Sequence, residues 1–122
     1  MTRIATLTSL AFPLLLSAPA WADGDSAHGK VLFGRCIACH SLDAGKNGVG
    51  PSLNGVYDRK SGTVEGYQYS KAMAAANLTW DDATLDKFLT SPMQAVPGTK
   101  MPTGVPNAMD RADIIAFLRL KP

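Results

Sequence analysis

The chain has 122 residues, with twelve Lys and Arg against ten Asp and Glu, so one nearly neutral domain is expected. Its basic residues are scattered among acidic ones and form no run, which excludes a nucleic-acid footprint.

The first stretch, MTRIATLTSLAFPLLLSAPAWA, has the layout of a secretory signal peptide. One basic residue, Arg3, precedes an apolar run from about Ile4 to Ala18, and the segment closes on the small-x-small pattern Ala20-Trp21-Ala22. A membrane span needs about 20 apolar residues, and Pro13 and Pro19 interrupt this run. The expected division is a signal peptide over 1–22, cleaved after Ala22, and one domain over 23–122. No second apolar segment approaches spanning length, so stable membrane insertion is not expected. Export implies an oxidising compartment, where unprotected thiols tend to pair.

A first helix is expected from about Asp25 to Arg35, capped by Asp25 or Ser26. Gly29 within it marks a possible close approach of another backbone. His28 reads as a surface residue of that helix. From Ser41 to Tyr69 neither the helical nor the strand period survives, and glycines, Asn, Asp and Pro51 punctuate the stretch. A structureless segment of that length in a small domain is either disordered or wrapped around something.

Helical signals return over Ser70–Ala76, with Asn77 as the stop. A stronger helix follows, with Thr79 as N-cap, Asp81 and Asp82 in the first turn, and Leu85, Phe88 and Leu89 on one face. Pro92 ends it. The stretch from Pro92 to Pro106 holds four prolines and reads as a rigid loop. The last helix is capped by Asn107 and carries Ile114, Phe117 and Leu118 as its apolar stripe. The fold class is all-α, with three or four short helices, long loops, and a core too thin without something at the centre.

Cys36-Ile37-Ala38-Cys39-His40 decides what that is. A disulfide within C-x-x-C closes a tiny loop and stabilises little. A thioredoxin-like dithiol belongs beside a strand, and the chain shows no strand pattern. Zinc needs four ligands, and His28 is the sole remaining His or Cys. C-x-x-C-H is the attachment signature of c-type haem. Each thiol adds to one vinyl group, and the adjacent imidazole falls where it can bind iron. The loops are then read as packing around one covalent haem c.

His40 supplies one axial ligand. His28 lies too close before Cys36 to reach the opposite face. Met73 and Met109 fall on expected helices, where core packing is the ordinary role. Met101 sits between Pro97 and Pro102 in PGTKMP, in a loop with no apolar stripe to join, and is the first candidate for the sixth ligand; Met93 is the second.

The stretches GKVLFGRCIACH, GPSLNGVYDRKSG, GYQYSKAM, LTWDDATLDKFL, PGTKMP and RADIIAFL together resemble, in order, the soluble class I c-type cytochromes of bacteria, similar to mitochondrial cytochrome c. The resemblance implies Cys36 and Cys39 as thioether sites and His40 and Met101 as axial ligands. It implies that the Pro51 carbonyl accepts a hydrogen bond from His40. Arg59, Tyr69 and Trp80 match positions that steady the haem propionates. Thr99 matches a loop residue near the same end. Gly29, Phe33 and Phe117 match a crossing of first and last helices.

Two departures stand out. Pro102-Thr103-Gly104 follows Met101 where relatives of the mitochondrial protein carry an aromatic, and the chain lacks the strongly basic charge of lysine-rich members. Steering of partners would then be local, through Lys30, Arg35, Lys46 and Lys100. The implied function is a soluble periplasmic one-electron carrier, a monomer and not an enzyme. It would act between respiratory or photosynthetic membrane complexes or periplasmic dehydrogenases and terminal oxidases or reductases. A haem enzyme or gas sensor with an open iron is the rival.

Overall fold

A computed structural model describes residues 11–16 and 24–122. Residues 11–16 carry no regular secondary structure, and Phe12, Leu14, Leu15 and Leu16 are exposed. The cleavage site expected after Ala22 lies outside the described residues.

The described residues form five α-helices: α1 (Ser26–Leu32), α2 (Lys71–Ala75), α3 (Asp82–Thr90), α4 (Pro92–Ala95) and α5 (Ala108–Arg119). A 3-10 turn over Phe33–Arg35 extends α1. Side-chain caps fix the starts, as polar residues at these positions should. Asp25 accepts from the amides of Ala27 and His28, Ser70 from Met73, and Asn107 from Asp110. The cap of α3 differs from expectation. Asp81, not Thr79, accepts the amide of Thr84. Thr79 is instead drawn into an isolated antiparallel bridge with Lys60, the one such pairing among the described residues. Tertiary pairing therefore moves the helix start by two residues. Pro92 does end α3, but it also opens α4 from its first position, where a missing N–H costs nothing.

The centre of the fold is α5, which packs against both α1 and α3. The expected stripe of Ile114, Phe117 and Leu118 is buried, and so are Ile115 and Ala116. A helix gripped from two sides buries more than one face. At the α1–α5 crossing the Phe33 and Phe117 rings meet at 5.4 Å with an interplanar angle of 57°. Gly29 is buried there, and a Cβ on it would fall on the backbone carbonyl of Asp113. Asp113 closes the seam from above. Its carboxylate accepts from the amide of Asp25 at 2.8 Å and from His28 Nδ1 at 2.7 Å.

The same core continues under the loops, where Trp80 packs on Phe88 with ring centroids 5.0 Å apart. Arg111 is buried at the base of the Pro-rich loop. It donates to Asp86 at 2.8 Å and to the carbonyls of Val105 and Pro106 at 3.0 and 2.9 Å, fixing the return of the loop to α5.

Candidate functional site

The 3-10 turn delivers the chain into Cys36. The amides of both Cys39 and His40 donate to the Cys36 carbonyl, at 3.1 and 2.9 Å. One tight turn therefore holds the two thiols and the imidazole as a unit. Cys36 is half-buried against the core and burial pushes its thiol pKa up, while Cys39 is exposed.

His40 Nδ1 lies 2.7 Å from the Pro51 carbonyl oxygen. A carbonyl can only accept, so Nδ1 carries the proton. In the neutral ring the lone pair is then on Nε2, the atom left available to a metal. Gly50 completes the seat. It is buried, its amide donates to the Cys39 carbonyl at 2.7 Å, and a Cβ on it would strike the His40 ring. The glycine is needed for close approach, and Gly-Pro is the sequence signal for it.

The methionines separate by environment. Met73 is buried in α2, and Met93 and Met109 are exposed, at 48% and 77%. Among the described residues, Met101 alone is a loop methionine held half-buried against the core cluster. The turn before it needs Gly98, at φ +94, and the Met101 amide reaches Thr99 Oγ1 at 3.4 Å. Thr99 itself is buried.

Arg59, Tyr69 and Trp80 are drawn together at the other loops. The backbone of Trp80 exchanges hydrogen bonds with the 58–59 segment, Asp58 N to Trp80 O at 2.9 Å and Trp80 N to Arg59 O at 3.0 Å. The Tyr69 hydroxyl accepts from the Val64 amide at 3.0 Å. Arg59 donates to the carbonyls of Ser52 and Asn54, but its Nε is buried without a partner. Among the described residues no carboxylate pairs with this guanidinium, and burial pushes its pKa down. A half-buried guanidinium whose buried Nε has no partner suits an anion.

The family model for cytochrome c matches residues 26–120. The chain belongs to the cytochrome c family. It is 52% identical over 97 residues to cytochrome c2 of Rhodoblastus acidophilus, covering 78% of this chain and 91% of that protein. It is 53% identical over 88 residues to cytochrome c2 iso-2 of Magnetospirillum fulvum, covering 71% and 92%. Among solved structures it is similar to cytochrome cH from Methylobacterium extorquens, with a TM-score of 0.74 and 44% identity over 80% of this chain and 99% of that one.

Members of the family are electron carriers, not enzymes, and carry one covalent haem c. The residues present fit that group. Both cysteines belong to the C-x-x-C-H turn, the His40 ring is seated with Nε2 left open, and the orphaned Arg59 donor suits a propionate. When bound, the haem supplies reversible one-electron oxidation and reduction at its iron. No helix among the described residues is long and apolar enough to cross a membrane.

Of the four cations named for steering, three have partners. Arg35 reaches Asp110 at 3.4 Å, Lys46 reaches Asp43 at 3.9 Å, and Lys100 donates to the Gln68 carbonyl at 2.7 Å. Sequence reasoning missed Gly50 and Tyr67. The Tyr67 hydroxyl donates to the Val49 carbonyl at 2.8 Å.

Proposed function

We propose that this chain is a soluble, monomeric, one-electron carrier of the periplasm, with a leader over 1–22 removed and the domain over 23–122 retained. In this reading the haem is held through Cys36 and Cys39, and its iron by His40 Nε2 and the Met101 sulfur. The single observation that supports the ligand assignment is the pairing of the His40 ring, fixed at Pro51, with Met101, the one loop methionine among the described residues that is held against the core.

The protein's residues then do three things. Pro51 and Gly50 hold the imidazole in one orientation, and the Nδ1–H bond to a carbonyl makes Nε2 a stronger donor. Pro97 and Pro102 restrict the Met101 loop and Gly98 permits the turn before it at φ +94, so the weak thioether is presented with less conformational freedom to lose. Arg59, Tyr69, Trp80 and Thr99 line the end that receives the propionates, where Arg59 offers its unused donor. If His40 and Met101 both held the iron, no site would remain there for substrate, and the haem would supply one-electron exchange with transient protein partners.

Exposure of the reduced holoprotein to carbon monoxide at neutral pH tests this. Slow, incomplete binding is expected, becoming fast and complete in Met101→Ala. Fast binding in the unaltered protein contradicts the two-ligand assignment and favours an open-iron enzyme or sensor.

A further inference from the structure

We infer that Tyr67 is a positioning residue that straps the loop carrying Met101 to the segment that seats His40. The inference rests on the assignment of Met101 and His40 as the two axial ligands.

Tyr67 is half-buried and touches both sides. Its hydroxyl donates to the Val49 carbonyl at 2.8 Å. Val49 directly precedes Gly50 and Pro51, which hold Cys39 and His40 through hydrogen bonds of 2.7 Å each. On the other side the Lys100 ammonium lies 5.9 Å from the Tyr67 ring centroid, a cation–π distance. The same ammonium donates to the carbonyl of Gln68, the next residue, at 2.7 Å. Lys100 is the neighbour of Met101.

The Tyr67 ring cannot swing away freely, because Tyr69 packs edge-on against it at 4.8 Å and 79°. A parallel tie, from the Asn47 amide to the Glu65 carbonyl at 3.2 Å, holds the two segments in register. Burial pushes the Tyr67 phenol pKa up, so its hydroxyl remains a donor well above neutral pH. The consequence is mechanical. For the Met101 loop to open, Lys100 must leave the Tyr67–Gln68 corner, and that corner is anchored to the backbone beside His40.

The test uses oxidised holoprotein and imidazole as a competing iron ligand, with loss of the sulfur-to-iron absorption band as the readout. At saturating imidazole the rate reports loop opening. Tyr67→Phe keeps the ring and removes the donor. It should speed displacement roughly three- to tenfold, the effect of one ordinary hydrogen bond lost from the closed state. Lys100→Met should do the same. The double variant should be slower than the product of the two effects, since both act through one corner. Tyr57→Phe is the control, because its hydroxyl interacts with Asp82 and Arg119 and touches neither segment. The unaltered rate in Tyr67→Phe, or a rise no larger than in Tyr57→Phe, overturns the strap and leaves the ligands standing. Should Tyr67→Phe not mature, an unchanged rate in Lys100→Met overturns it equally. If the unaltered protein shows no sulfur-to-iron band, the Met101 assignment fails, and the strap with it.

Discussion

Gly29 of α1 lies against the backbone carbonyl of Asp113 of α5, with no room between them for a single methyl group. The two helices that flank the domain in sequence therefore meet backbone to backbone. Everything between them, including the site, is closed by that contact.

Gly29→Ala should force the helices apart, because the obstacle is main chain and cannot rotate away. We expect a loss of about 3 kcal/mol in denaturant unfolding. Gly34, in the 3-10 turn, has open space around it. Gly34→Ala should be neutral or stabilise by up to about 1 kcal/mol. Equal losses in the two variants would contradict the crossing as the cause, since helix propensity alone favours Ala over Gly.

The His28–Asp113 bond makes the same seam pH-dependent. The hydrogen bond to Asp113 holds the His28 pKa above its ordinary 6.5, and the bond from His28 holds Asp113 below its ordinary 3.8. Asp110 and Asp25 also favour the charged imidazole. A raised folded pKa gives stability that is full below about 6.5 and lost as pH rises through the folded value. A depressed carboxylate gives stability present above its ordinary value and lost as pH falls through the folded one. The pair thus contributes most between roughly pH 4 and 6.5. Titration of the His28 ring by NMR should show the raised value, and Asp113→Asn should return it toward the ordinary one. His28→Asn should remove the decline of stability above that window.

Arg59 separates charge from fork geometry. Arg59→Lys keeps the charge and loses the paired donation to Ser52 and Asn54. It should cost about 1–3 kcal/mol of stability and move the reduction potential little. Arg59→Met also removes the positive charge, and losing a nearby cation favours the oxidised, more positive iron. Its potential should fall by on the order of tens of millivolts. A fall of equal size in both variants would contradict a charge effect.

Arg111→Leu should destabilise by about 2–4 kcal/mol, since it leaves Asp86 unpaired and the Val105 and Pro106 carbonyls without a donor. Denaturant unfolding monitored by circular dichroism checks this. Asp86→Asn, which keeps a hydrogen-bonding partner, should cost less.

Much of this was legible in the sequence because capping and covalent spacing are local. Asp25, Ser70 and Asn107 cap where their residue types predict. The C-x-x-C-H run sets its own geometry within five residues. What depends on the third dimension was less visible. Thr79 and Asp81 are both competent caps, and the bridge to Lys60 decides between them. The apolar stripe of α5 named one buried face, while α3 buries a second. Pro51 entered only through the family resemblance, because a carbonyl acceptor has no side-chain signature. Tyr67 escaped notice because its partner is a main-chain carbonyl 18 residues away, a relation no period encodes.

The visible and near-infrared spectrum of the oxidised holoprotein tests the central claim most directly. A covalent haem c ligated by His40 and Met101 predicts a weak sulfur-to-iron band that disappears in Met101→Ala and persists in Met93→Ala. A band that survives Met101→Ala, or one lost in Met93→Ala instead, contradicts the account.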